Sequence, residues 1–199
     1  MKGFLKKRGA LLLLISGIAL MAGAVAGVVI HHFSVKNAGS QARKTVQTLY
    51  RLMPEVRSGV LDDRINVEMP ALEVDGRDYV GIIEVLKYDR ALPIAAKWDA
   101  GAVDRFPCRY TGSIYDGTLI IGGSDNEGQF DFMKLITGGD AVHITDVTGT
   151  RYAYVVTDIQ KSDNVSTANL TSKDTDLVFY ARNTYSLDYT IVHCKLGTK

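Results

Sequence analysis

The sequence lacks the short motifs that mark the commonest nucleotide, metal and hydrolase sites. It contains no Walker loop and no GxGxxG, HExxH, CxxC or GxSxG pattern, which argues against nucleotide binding, a zinc centre and the α/β-hydrolase class. It also lacks an excess of charge of either sign, because 23 basic and 22 acidic residues leave +1 at pH 7. We therefore expect no cofactor, no metal and no nucleic-acid partner.

Cysteine is scarce, with two residues in a chain of 199. In an oxidising compartment Cys108 and Cys194 are candidates for a disulfide; two free buried thiols are the alternative, and the sequence leaves both open. Cys194 is also a candidate nucleophile, which would need a base or a positive neighbour to lower its pKa. His193 is adjacent in the chain, but neighbours in a strand point to opposite faces. His143 would have to reach it from another strand, and we expect a core or surface role for it.

An uncharged run from Gly9 to Ile30 follows the basic residues of the first eight positions. The run is long enough to span a bilayer as a helix, and the basic residues before it indicate a cytoplasmic N-terminus. A cleavable signal peptide is the alternative, because alanines occur at alternate positions from 22 to 26, but the run is longer than a usual signal core. We predict a cytoplasmic basic tail over 1–8 and a single-pass transmembrane anchor over 9–30, with the remainder extracellular.

Residues 31–68 are predicted to form a juxtamembrane stalk and linker. Apolar residues follow helical spacing within it, at Ala42, Val46, Leu49 and Leu52. This spacing predicts a helix, and Pro54 should end it.

From residue 69 onward, short apolar runs alternate with turn-forming residues, which is typical of β structure. The predicted strands are Tyr79–Val85, Leu92–Ala95, Ile114–Tyr115, Leu119–Ile121, Ala141–Val147, Tyr152–Ile159, Leu177–Tyr180 and Tyr189–Val192. A short helix is predicted from Phe130 to Ile136, and a long polar surface loop over 162–175. Eight short strands and a short helix place the domain in the mainly β class, as a small barrel or sandwich.

Segments of this region resemble, in order and spacing, the sortases, which are membrane-anchored cysteine transpeptidases of Gram-positive bacteria. The segments are GRDYVGIIEV from Gly76, LPI from Leu92, PCRYTGSIY from Pro107, LIIGG from Leu119, GDAVHITDVTG from Gly139, and TIVHC ending at Cys194. The resemblance covers about residues 69–199 together with the N-terminal anchor, and it is closest to class B. It implies an eight-stranded β-barrel with one or two short helices, preceded by a transmembrane helix.

The chemistry of that family needs a histidine, a cysteine and an arginine. By resemblance, the histidine position falls on Ser124, the cysteine position on Arg182 and the arginine position on Tyr189. Positions 124 and 182 are 58 residues apart, which suits the family's spacing. Cys194 instead matches a second cysteine that some members carry at the end of the last strand.

The resemblance therefore implies that none of the three catalytic groups is present. A serine cannot protonate a leaving amine as an imidazole can, and a guanidinium cannot attack a carbonyl. The tyrosine could donate one hydrogen bond, but not a charge-assisted one.

The resemblance thus implies a catalytically inactive, membrane-anchored extracellular protein that acts as a binding or assembly module at the cell wall. Its partner would be a surface-protein sorting peptide or a pilus or cell-wall component. The alternative is an active transpeptidase that joins surface proteins to the wall or a pilus, with Cys194 or Cys108 as nucleophile and His143 or His193 as base. A third hypothesis is a structural role, with the anchor and stalk mediating assembly.

Overall fold

The computed structural model describes residues 2–59, 68–171 and 174–197, and the side chains within these ranges apart from 2–15, 30–38 and 167. The helices are α1 (Lys2–Leu52), α2 (Thr167–Leu170) and two 3₁₀ turns, Leu86–Tyr88 and Asp131–Lys134. The strands are β1 (Arg57–Ser58), β2 (Leu72–Val74), β3 (Arg77–Val85), β4 (Arg90–Ala95), β5 (Cys108–Thr111), β6 (Leu119–Ser124), β7 (Ala141–Asp146), β8 (Thr150–Ser162), β9 (Leu177–Arg182) and β10 (Tyr189–Leu196).

Eight of these strands form a closed barrel. The ring runs β8-β10-β9-β6-β5-β4-β3, and β7 closes it by pairing with both β3 and β8. The short strands β1 and β2 extend it, β1 parallel to β8 and β2 antiparallel to β3. Closure leaves the eight strands without a free edge. The predicted eight-stranded, mainly β barrel is therefore confirmed.

The barrel interior is filled by the alternate residues of each strand that point inward. On β6 and β9 these are Leu119, Ile121, Leu177 and Phe179, each at most 1% exposed. The outward residues Ile120 of β6 and Val178 of β9 are also buried, because Leu170 of α2 packs in one cluster with them. Both faces are covered, so these strands appear in the sequence as continuous apolar runs rather than alternating ones.

The C-terminal end of α1 lies against the outside of the barrel. Val46, Leu49 and Met53 pack in one apolar cluster with Tyr79 and Ile82 of β3. The helix ends at Leu52, two residues before Pro54, as the sequence indicates. This part of the predicted stalk is thus a packed element of the folded domain.

Among the described residues, no helix is long and apolar enough to cross a membrane. The predicted span over 9–30 includes residues 9–15 and 30, whose side chains lie outside the described part of the chain.

The predicted strand at Ile114–Tyr115 is wrong. Those residues lie in the turn between β5 and β6, and the strand before that turn is Cys108–Thr111. Ile114 is fully buried although it is not in a strand, so its apolar character reflects burial and not sheet pairing. The turn is tight: Gly112 has a φ of +77°, and a Cβ there would lie 1.9 Å from the Thr118 carbonyl oxygen. The predicted short helix is present as the 3₁₀ turn Asp131–Lys134.

Replacing Leu49 with alanine should destabilise the folded domain, because Leu49 is fully buried between α1 and the barrel. We expect the free energy of unfolding to fall by about 2–5 kcal/mol, measured by chemical unfolding followed through Trp98 fluorescence. Leu52→Ala is the matched control in the same helix, since Leu52 is 56% exposed, and its effect should stay within about 0.5 kcal/mol. Equal losses for both variants would contradict the packing of α1 on the barrel.

Candidate functional site

The sheet register brings the three resemblance-derived positions together. Ser124 at the end of β6 pairs with Arg182 at the end of β9, and Arg182 pairs with Tyr189 at the start of β10. Paired residues on adjacent strands point to the same face of a sheet. The three side chains therefore lie side by side on the outer face, at one end of three neighbouring strands.

The turn from β9 to β10 is fixed by its own polar residues. The backbone N–H of Asn183 donates to the Asp188 carbonyl at 2.8 Å, and its side-chain amide donates to Asp188 Oδ1 at 2.6 Å. The Ser186 hydroxyl donates to the same carboxylate. These hydrogen bonds, the one from Ser186 first, hold the pKa of Asp188 below its ordinary value. The turn thereby holds Arg182 and Tyr189 opposite each other.

A second set of contacts ties the loop after β6 to that turn. Asp125 accepts hydrogen bonds from the Thr184 backbone N–H at 2.8 Å and from its hydroxyl at 2.6 Å, and it forms an ion pair with Lys134 at 2.9 Å. Burial alone would raise the pKa of Asp125, but the Thr184 and Lys134 contacts outweigh burial and hold it below its ordinary value. Asp125 is therefore a charged, fully engaged structural carboxylate.

Ser124 is anchored through its backbone while its hydroxyl is left without a partner. The Ser124 N–H donates to Gln129 Oε1 at 2.5 Å, and Gln129 Nε2 donates to the Val103 carbonyl at 2.8 Å. Ser124 is 3% exposed, and its Oγ has no hydrogen-bond partner in the described residues. A buried unsatisfied hydroxyl costs about 1–3 kcal/mol, so this position is unusual for a residue with a purely structural role.

The side chains of Arg182 and Tyr189 are also without hydrogen-bond partners in the described part of the chain. Arg182 is exposed and Tyr189 is half-buried. Among the described residues, these three positions thus present one unpaired guanidinium and two unpaired hydroxyls, with no imidazole or thiol at any of the three.

Neither cysteine is at this site. Cys194 is fully buried in the barrel core, and Cys108 is fully buried in the cluster under α1. Both are free thiols, so the disulfide that the sequence allows is not formed. Strands β9 and β6 lie between β10 and β5, which carry the two residues. Three strand spacings amount to about 14 Å, while a disulfide needs Cα atoms within about 7 Å.

The environment of both thiols is apolar, and burial raises the pKa of Cys108 and of Cys194 above the ordinary value. Cys194 points into the core, whereas its neighbour His193 lies on the outer face beside Thr175. His143 is on β7, which β8 separates from β10. These surroundings favour a structural role for the thiols over a nucleophilic one.

An aromatic cluster beside the three positions was not foreseen from the sequence. Trp98 stacks on Tyr180 with ring centroids 6.3 Å apart, and Tyr110 meets both rings edge to face at 5.3 and 5.8 Å. Tyr180 lies two residues before Arg182 on the same face of β9. Its ring centroid is 6.2 Å from that of Tyr189. The rings fit because position 122 is glycine: a Cβ there would lie 2.5 Å from Trp98.

Native protein should be nearly unreactive toward a thiol reagent at pH 8, because both thiols are buried and have raised pKa values. The unfolded chain should titrate as two free thiols without any reductant. Absence of free thiols in denaturant, or fast reaction of one cysteine in the native protein, would contradict the assignment.

The stability of the domain should depend on pH through His193. Burial lowers the pKa of His193 below its ordinary value of 6.5, so the unfolded chain binds this proton more readily than the folded one. The contribution is complete above about pH 6.5 and is lost as the pH falls toward the folded pKa. His193→Gln should therefore flatten the fall in unfolding free energy between about pH 7 and 5, measured by urea titration. His143→Gln is the control, and a wild-type slope in His193→Gln would contradict the assignment.

Comparison with known proteins shows which solved structures share this architecture. No protein-family model and no curated protein matches the chain. Solved structures do match. Sortase A from Corynebacterium diphtheriae aligns over 83% of this chain and 85% of its own, with a TM-score of 0.55 and 16% identity.

Two other sortases give comparable agreement. The Clostridium perfringens sortase D5 transpeptidase covers 61% of this chain and 80% of its own, with a TM-score of 0.53 and 19% identity. Sortase C1 from Streptococcus agalactiae aligns over 61% of this chain and 70% of its own, with a TM-score of 0.54 and 16% identity. The barrel closure and these superpositions agree, and the chain has the sortase fold.

Proposed function

We propose that this protein is a sortase-fold module that binds a partner at the cell surface without thiol transpeptidation. The single observation that carries the proposal is the trio Ser124, Arg182 and Tyr189, which occupies paired positions on three neighbouring strands. In the fold's active relatives the resemblance puts a histidine, a cysteine and an arginine at these positions.

The residues present cannot replace the missing groups chemically. Acyl transfer through a thioester needs a nucleophile whose attacking form is populated and a group that protonates the leaving amine. Arg182 offers a permanently charged group with no nucleophilic lone pair at neutral pH. Ser124 has no histidine beside it in the described residues, and its hydroxyl is an unactivated nucleophile.

The cysteines give no alternative route in the geometry described. Cys194 and Cys108 are fully buried in apolar clusters, where a thiolate is disfavoured. A peptide substrate would have to open the barrel core to reach Cys194. These observations support binding over catalysis.

Anchorage at the membrane is part of the proposal and is supported by the sequence. The uncharged run from Gly9 to Ile30 follows four basic residues, which favours a cytoplasmic N-terminus and an extracellular barrel. The partners that suit this placement are surface-protein sorting peptides and pilus or cell-wall components. The protein would hold such a partner for assembly rather than join it covalently.

Purified protein should show no turnover of a peptide that contains a Leu-Pro-x-Thr-Gly motif in the presence of an amine acceptor. Product release is measured by chromatography, with an active sortase under the same conditions as the positive control. Turnover that disappears in Cys194→Ala or Cys108→Ala would overturn the proposal and establish the active alternative. Turnover that survives both variants would point to a contaminant, so both variants must be assayed beside the natural chain.

A further inference from the structure

Large apolar side chains are exposed mainly at one end of the barrel. Among the described residues from 68 onward, the most exposed of them are Leu86, Leu135, Tyr185 and Leu187, at 66, 66, 92 and 59%. They lie in the connections from β3 to β4, from β6 to β7 and from β9 to β10. Elsewhere on the described barrel no large hydrophobic side chain is more than 45% exposed. We call the end formed by these three connections the leucine end.

The three connections form one continuous surface with a fixed shape. The Tyr88 hydroxyl donates to the Leu135 carbonyl at 2.7 Å, and the Tyr88 ring stacks on Phe132 with centroids 5.8 Å apart. Asp125, in the loop after β6, accepts a hydrogen bond from the Thr184 backbone N–H at 2.8 Å. The exposed apolar side chains are therefore presented together by hydrogen-bonded turns, and such a grouping marks an interaction surface.

Helix α1 determines which end of the barrel is nearer to the predicted anchor. The helix is continuous from Lys2 to Leu52, so it includes the uncharged run over 9–30. It first meets the barrel at Gly39, beside Gly128 at the leucine end: a Cβ on Gly128 would lie 3.1 Å from the Gly39 Cα. The chain just after the helix lies at the opposite end, beside Gly149 in the turn from β7 to β8. The leucine end therefore faces the side from which the uncharged run approaches.

We infer that the leucine end docks on the surface of the lipid bilayer that holds the anchor, with its exposed apolar side chains in the boundary between headgroups and acyl chains. The inference rests on the proposed function, because it requires the run over 9–30 to span the membrane. The described side chains of that run, such as Leu20, Val25 and Val28, are exposed and make no contact with the barrel that would prevent this.

The length of helix between the run and the barrel suits this contact. Nine residues separate positions 30 and 39, which is about 14 Å along a helix axis. The headgroup layer on one side of a bilayer occupies about 5–8 Å of that distance. A tilt of about 20°, ordinary for a membrane-spanning helix, brings the barrel side of α1 closer still. A continuous helix also limits how far the barrel can turn away from the bilayer.

The charges of the leucine end favour apolar contact over electrostatic attraction. Three of its cations are neutralised by ion pairs, Lys87 with Asp140, Lys134 with Asp125 and Arg90 with Asp131, at 2.7, 2.9 and 2.8 Å. The other charged residues there are of both signs: Lys161, Arg182, Asp89, Glu127, Asp163 and Asp188. Without an excess of positive charge, anionic headgroups offer little attraction. Burial of leucine side chains in lipid needs no such charge.

The buried native thiols allow a label to be placed at each end of the barrel. Cys108 and Cys194 are fully buried, so Glu127→Cys adds one accessible thiol at the leucine end, and Lys97→Cys adds one at the opposite end, after β4. The full chain, labelled with bimane, is placed in phosphatidylcholine nanodiscs that contain lipid with a nitroxide on its headgroup. We expect strong quenching of the label at position 127 and little at position 97. The natural chain carried through labelling measures any background.

Substitution of the two leucines tests whether they hold the barrel on the bilayer. Each leucine that leaves the lipid should lower the ratio of docked to undocked barrel about 10-fold, so Leu86→Ser with Leu135→Ser should lower it about 100-fold. Quenching at position 127 should then fall to the level at position 97. Leu52→Ser is the matched control, because Leu52 is 56% exposed at the opposite end, and it should leave the quenching unchanged. Circular dichroism confirms that each variant is folded.

The lipid and salt dependence separates apolar docking from attraction to anionic lipid. Quenching at position 127 should be the same in phosphatidylcholine alone and with added phosphatidylglycerol, and it should persist when salt is raised from about 0.05 to 0.5 M. Quenching that requires phosphatidylglycerol and disappears at high salt would overturn the inference.

The remaining outcomes are also distinguishable. A chain that does not co-purify with nanodiscs would contradict both the anchorage and the docking. A chain that does co-purify, but shows equal quenching at the two positions or unchanged quenching in the double serine variant, would overturn the docking and leave the anchorage intact. Self-association in detergent that the double serine variant abolishes, without quenching by lipid, would assign the surface to a second copy of the chain. The absence of transpeptidation is tested separately by peptide turnover.

Discussion

The backbone pairing of β6, β9 and β10 is the constraint on which the site depends. Parallel pairing of β6 with β9 places Ser124 beside Arg182, and antiparallel pairing of β9 with β10 places Tyr189 on the other side. The Asn183–Asp188 turn and the Asp125–Thr184 contacts hold the ends of these strands in register. A slip of one residue would turn every side chain to the other face, so the site and the barrel core share the same hydrogen-bonded framework.

In this arrangement the residues that fill the barrel core are different from those that form the candidate site. The inward residues of β6 and β9, such as Ile121 and Phe179, fill the core and tolerate little change in volume. The outward residues at the strand ends contribute little to the core and can change character without loss of the barrel. The residues at the strand ends can therefore differ in chemistry while the barrel core stays the same. In this chain that surface combines an unpaired guanidinium with an aromatic cluster.

The sequence predicts the barrel well because most of its strands show the expected apolar patterning. The three site positions, in contrast, are implied by the family resemblance and not by a pattern in the residues themselves. The strand prediction fails where a residue is buried without being paired in the sheet. Ile114 is apolar because the turn after β5 is buried, and Cys108 lies in a strand with little apolar alternation. Whether the two cysteines can form a disulfide depends on how many strands lie between them in the barrel. Their spacing along the chain does not reveal that number. The aromatic cluster brings together residues from three separate segments, and the glycine at position 122 that admits Trp98 has no distinctive signature.

The central claim is that the barrel has kept its architecture while the thioester-forming chemistry is gone. Intact-mass spectrometry after incubation with a sorting-type peptide tests it most directly, because an acyl-enzyme adds the mass of the peptide's acyl portion to a cysteine. We predict an unchanged mass over hours at neutral pH, with the peptide recovered intact. A covalent adduct of that mass, mapped to Cys194 or Cys108, would contradict it.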